Sequence, residues 1–128
     1  MSPSKRPINQ HELYHAHIYF DVDSRDLAAQ LCHQIRQELA LPVGRFHEKL
    51  VGPHPRWSCQ VSFTKADFDH FIPWLEQHRQ GLTVFVHGVT GDYWEEHTTY
   101  AYWLGDSVPL NLPTDGSGKS AFRPVSDT

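Results

Sequence analysis

The segment YHAHIYF, residues 14 to 20, has the period-two alternation of a β-strand, yet it sets His15 and His17 where a strand ordinarily carries Thr, Ser or Lys. GPHP (52–55), VFVHG (84–88) and EEHTTY (95–100) contribute His54, His87 and His97, and RFHEKLV (45–51) contributes His47. Neutral imidazole is the commonest protein metal ligand, and its pKa near neutrality also suits it to moving protons. One such residue is ordinarily a hydrogen-bonded strand histidine; several that meet are a candidate metal or acid–base site. The chain has neither paired-cysteine zinc spacing nor HExxH, so only the fold can bring these side chains together. His11, His33, His70 and His78 lie in the N-terminal segment or in helical stretches and are read as surface residues without a role.

The elements that must position the histidines alternate in type. Strand one is YHAHIYFDV, and DSRDLAAQLCHQIRQEL then changes to helical period, with Asp23 or Ser24 as cap and a stripe of Leu27, Leu31, Ile35 and Leu39. Pro42 and Gly44 are expected to end that helix. RFHEKLV is a weaker second strand and RWSCQVSF a third, with Trp57, Cys59, Val61 and Phe63 on one face. TKADFDHFIPWLEQHRQ opens with Thr64 and Asp67 in capping-box spacing and carries an awkward Pro73. LTVFVHG is strand four, and residues 89 to 112 follow as a turn, a short helical turn and an extended piece. This order, β-α-β-β-α-β, predicts an α+β, ferredoxin-like split βαβ sandwich: a four-stranded antiparallel sheet in order 4-1-3-2, with the helices on one face. Residues 1–12 are expected as a flexible arm, 13–112 as the single domain, and 113–128 as a disordered tail.

Alternation then assigns faces. Ala16, Ile18 and Phe20 suit the helix-covered side, as do Leu82, Val84 and Val86; His15, His17, Tyr19, Thr83, Phe85 and His87 turn to the open side, with Ser58, Gln60 and Ser62. Strand four runs antiparallel beside strand one, so His87 falls next to His15 and His17, cross-strand neighbours being about 5 Å apart. Strand three is expected parallel to strand one on its other side, which would put His54 at that same end of the sheet. His17, His54 and His87 are the expected metal ligands. His15 is a further ligand or an acid–base group, the register of His47 is open, and His97 folds back over the mouth.

Bulk properties narrow the classes. A chain of 128 residues with 39% hydrophobic and 12% aromatic content can bury one core. Net charge of −4 gives no electrostatic case for nucleic acid or an anionic membrane, and no apolar run approaches the length of a span. MSPSKRPINQHE lacks the apolar core of a secretory signal, and two cysteines, Cys32 and Cys59, are too few for a disulfide framework, so a cytoplasmic location is expected.

Taken in order, YHAHIYF, GRFHEKLVGPHP, VSF, FIPWLEQHRQGLTVFVHGVTGD and EHTTYAYWLG resemble the DOPA 4,5-dioxygenase family, over about residues 13 to 112. The resemblance implies a ferredoxin-like domain with a non-haem iron site built from histidines, cleaving a catechol in extradiol fashion with O2. The matching histidines are His15, His17, His47, His54, His87 and His97. VHG at 86–88 departs from the pattern, which more usually has Pro after the histidine. The usual facial triad for Fe(II) is two histidines and a carboxylate; Glu48, Asp92, Glu95 and Glu96 are candidates, Glu48 nearest in sequence, and a third histidine serves equally. Zinc could replace iron on expression. His15 or His97 would move the catechol proton, Tyr19 would hydrogen-bond bound oxygen or a ring hydroxyl, and Phe85 and Trp57 would flank the ring. Arg45, Arg56 or Arg79 could meet an amino-acid-like substrate. The competing class is a non-catalytic metal- or small-aromatic-binding module. In either case a homodimer is expected to close over the open face.

Overall fold

The computed structural model describes residues 8–112. Five strands, β1 (Leu13–Phe20), β2 (Val43–His47), β3 (Trp57–Thr64), β4 (Val84–Gly88) and β5 (Ala101–Leu104), form one sheet in the order β2-β3-β1-β4-β5. The first four strands stand in the expected order; β5 is an addition to the expected four, pairing beside β4 from Val84↔Leu104 to His87↔Ala101. Every neighbouring pair is antiparallel. This corrects the expectation that strand three runs parallel to strand one: Leu13 pairs with Thr64 and Phe20 with Trp57. The physical reason lies in the connections. β2 and β3 are antiparallel neighbours, and α1 returns the chain across β3's place, so the strand filling that gap runs against both.

Two helices, α1 (Arg25–Gln34) and α2 (Lys65–His78), pack on one face. Leu31, Ile35, Phe71 and Leu75 join Ala16, Ile18, Val61, Val84 and Val86 in the main core, with Leu27 and Leu39 packed at its margin. α1 continues as a π-helical turn over Ile35–Leu39 and stops at Ala40, which takes the left-handed conformation at φ 55, ahead of the expected Pro42 and Gly44. Ser24 occupies the N-cap position, but its hydroxyl is bonded within the Asp21–Ser24 turn. The capping box at α2 is present: Asp67 accepts from both the Thr64 hydroxyl and the Thr64 N–H. Pro73 is tolerated inside α2 because it lies on the exposed side, where water can satisfy the carbonyl it leaves free.

The opposite face of the sheet is not open. Tyr19, Phe85 and Ala101 form a second buried cluster with Trp103, Val108 and Leu110, so the segment after β5 folds back across it. The Asn111 N–H donates to the Pro53 carbonyl at 2.8 Å, tying that segment to the turn carrying His54. A short third helix, α3 (Tyr93–Glu96), capped by Asp92, lies over the same face. The chain itself thus supplies the cover for which a second copy was expected, and helices stand on both sides of the sheet. Residues 8–12, expected within a loose arm, are held: the Tyr14 hydroxyl accepts from the N–H groups of Gln10 and His11. Residues 1–7 and the expected tail at 113–128 lie outside the described residues. No described helix is long and apolar enough to cross a membrane.

Candidate metal centre

The β1–β4 register sets His15 directly opposite His87, and His17 follows two residues later on the same face. One nitrogen from each of His15, His17 and His87 lies within 4.8 Å of the others. The Nε2 atoms of His17 and His87 are 3.1 Å apart, the spacing of two nitrogens each about 2.1 Å from one ion and roughly at right angles. His87 is held for this task. Its Nδ1–H donates to the Gly88 carbonyl at 2.9 Å, so the Nε2 lone pair is the one aimed at His17.

Electrostatics keep the imidazoles unprotonated. Burial drives the pKa values of His17 and His87 well below the ordinary histidine value, and surrounding histidines add to the effect. Burial, helped by His97 and His47, brings His54 down to about 3. His15 and His97 are lowered by burial as well, with Glu96 pulling the other way. At neutral pH all five are neutral bases with lone pairs to offer. Three such donors within reach of one ion fit a divalent metal.

The remaining histidines gather around this set. His54 arrives from the far end of the sheet, because β3 begins beside Phe20; its turn folds inward and brings the ring centroid to 4.2 Å from that of His17. Its Nδ1 is 2.7 Å from the Tyr19 hydroxyl. His97 follows α3, packs 4.9 Å from the His87 ring, and donates from Nδ1 to the Tyr93 carbonyl at 2.7 Å. Together these side chains line a cavity of about 250 Å³ whose wall also includes His47, Pro53, Ser58, Gln60, Val89 and Glu96.

The three nitrogens that lie within 4.8 Å of one another belong to His15, His17 and His87, and His54 packs against His17 outside that set. Tyr19 is buried with its hydroxyl against His54 Nδ1 and does not line the cavity. Phe85 is fully buried, stacked between His17 and Trp103, and supports the imidazoles from behind. Trp57 packs against Phe20 in the helix-side core, away from the cavity. Glu48 is not at the site: it forms a 2.6 Å ion pair with Arg25 on the surface. Asp92 caps α3, and of the four acidic candidates only Glu96 lines the cavity. None of Arg45, Arg56 and Arg79 lines it. His11, read as an idle surface residue, packs its ring on Gly88 and edge-on to Tyr100, where an added Cβ would collide with it. Val51, Pro53 and Val89 were not singled out as site residues, since apolar loop residues carry no signal until the loops are folded over the sheet.

Sequence comparison matches residues 14–114 to the Dopa 4,5-dioxygenase family. Similar curated proteins include an uncharacterized 21.2 kDa protein of Botryotinia fuckeliana, 35% identical over 77% of this chain and 61% of its own length. A protein of Amanita muscaria named DOPA 4,5-dioxygenase is 29% identical over 77% of this chain and 47% of its own. The chain therefore spans between about half and three fifths of these relatives. Among solved structures, a "putative dioxygenase" from Nostoc punctiforme PCC 73102 superposes with a TM-score of 0.76 at 40% identity, covering 79% of this chain and 88% of that one.

Proposed function

Because the chain belongs to the Dopa 4,5-dioxygenase family, we propose that it is a non-haem iron(II) dioxygenase that opens a catechol ring in extradiol fashion with O2, on a ferredoxin-like frame. The observation that carries this reading is the meeting of His15, His17 and His87 within 4.8 Å, all unprotonated, at the floor of a cavity sized for one aromatic ring. These three would hold the metal. Bound iron(II) would supply the one-electron chemistry that lets O2 react with an electron-rich ring.

The rest falls to the chain's own side chains. Val51, Pro53 and Val89 offer apolar walls for the ring. The Nδ1–H of His97 is committed to the Tyr93 carbonyl, so its Nε2 is the free base that takes a catechol hydroxyl proton and later returns it. Tyr19 holds the His54 ring in orientation beside His17. The folded-back segment at Val108 and Leu110, with α3, excludes bulk water from the imidazole side of the sheet.

The test is anaerobic reconstitution with Fe(II), followed by a catechol and O2. A yellow ring-opened semialdehyde is expected. His17→Ala and His87→Ala should lose iron, while His97→Ala should keep iron and lose turnover. If His15→Ala retains iron and His54→Ala does not, the third ligand is His54. Tight metal binding without colour across several catechols would leave a metal- or aromatic-binding module in place of an enzyme.

A further inference from the structure

β3 brings two buried polar side chains to the cavity that the imidazoles leave unused. Ser58 and Gln60 are 2% and 5% exposed, and both line the wall. Neither the Ser58 hydroxyl nor the Gln60 amide makes a side-chain hydrogen bond among the described residues. Protein interiors almost always pair such groups, because a buried donor or acceptor without a partner destabilises the fold. Packing does not demand them either: the core is supplied by Cys59 and Val61, on the other face of the same strand. The register fixes where they stand. Gln60 is directly opposite His17, and Ser58 directly opposite Tyr19. Neighbouring strands lie about 4.8 Å apart, so Gln60 is one strand from His17 and two from His87, on the face they share. That offset is comparable with the span of a substituted benzene ring.

Resting on the reading of this cavity as a catechol site, we infer that Gln60 and Ser58 form a specificity subsite for an uncharged hydrogen-bonding substituent on the ring, a hydroxyl or a carboxamide. The Gln60 amide offers a donor and an acceptor, and the Ser58 hydroxyl offers both as well. One such group on the ligand satisfies what the fold leaves open. A methyl or ethyl group in the same place leaves both side chains buried and unpaired, the arrangement from which a site draws its sharpest discrimination. Charge is absent from this strip. His17, opposite Gln60, and His54, packed on His17, respond to burial and to other histidines, with no carboxylate acting on them. Glu96 acts instead at His15 and His97. No Lys or Arg lines the wall among the described residues. An ammonium or carboxylate beside Gln60 would be desolvated without a counter-charge, which is costly.

The test uses the full chain loaded with zinc, which has no redox chemistry of its own, and calorimetric titration with 3,4-dihydroxybenzyl alcohol and 4-ethylcatechol. These two differ by a hydroxyl against a methyl. The alcohol is expected to bind about tenfold tighter, and tighter also than 3,4-dihydroxybenzylamine or 3,4-dihydroxybenzoate. Gln60→Leu should bring the alcohol to ethyl ratio to within about twofold at unchanged zinc content. Because it removes an unpaired buried amide, the same substitution should raise the urea midpoint of the ligand-free protein, whereas a structural glutamine would lower it. Ser58→Ala should give an intermediate ratio. Equal affinities in the unaltered protein, preference for a charged catechol, or no binding of any catechol overturns the inference. So does a Gln60→Leu protein with an unchanged ratio, lost zinc or a lowered midpoint. Ring opening of 4-ethylcatechol by the iron-loaded protein is scored separately: the expected binding ratios without ring opening would remove the ring-cleavage reading and leave the subsite standing.

Discussion

Mild acid should destabilise the metal-free protein before it protonates the carboxylates, and His54 sets the scale. In the folded chain its pKa is about 3, against 6.5 for an ordinary histidine. Between those values the unfolded chain takes up a proton that the folded chain refuses. Stability is therefore complete above about pH 7 and falls as the pH drops through 6.5 toward 3, by about 1.4 kcal/mol per pH unit for one such group. By pH 5 His54 alone costs about 2 kcal/mol. His17 and His87 are displaced in the same direction and add terms of the same sign. The loss carried by His54 alone is already a large share of the stability of a small domain. Urea unfolding of chelator-treated protein at pH 7, 6 and 5, followed by circular dichroism, reads this directly. His54→Gln should lower the pH slope by about 1.4 kcal/mol per unit over this window. Midpoints that stay level from pH 7 to 5 would refute the claim that these imidazoles are buried and neutral.

Three other perturbations follow from the geometry. Tyr19→Phe leaves the buried His54 Nδ1 without the hydroxyl 2.7 Å away and should cost about 1–3 kcal/mol in thermal or urea unfolding. Gly88→Ala drives a Cβ into the His11 ring; a loss of about 1–3 kcal/mol and faster protease cleavage near residues 8–12 are expected, and an unchanged digestion pattern would show that His11 does not pin the segment. Arg25→Ala breaks an exposed ion pair with Glu48 and should shift stability by less than about 1 kcal/mol while leaving bound metal per chain unchanged; lost metal would return Glu48 to the site.

The faces of β1, β3 and β4 were legible because alternation is a one-residue property. His15, His17 and His87 lie on one side by counting alone, and Ala16, Ile18 and Val84 on the other. Register was harder. The direct opposition of His15 and His87, which brings His15 into the candidate centre, depends on a pairing offset that alternation does not specify. Alternation does not carry the direction of β3 either: the turn bearing His54 begins at the far end of the sheet and reaches the centre only by folding inward. Glu48 and Glu96 look alike as sequence. Their separate fates depend on Arg25, 23 residues away from Glu48, and on the Thr90–Gly91 loop around Glu96. Closure of the sheet's second face was hidden for a similar reason, since Val108 and Leu110 form no periodic run.

The hydrogen bond from Asn111 to Pro53 makes the lip of the pocket hostage to the stretch of backbone that follows β5. A protease cut or a deletion just after Leu104 would release Val108 and Leu110 from Tyr19 and Phe85, and would also untether the turn that presents His54. Entry for ligand and leakage of solvent would then change together, from a scission that touches no imidazole.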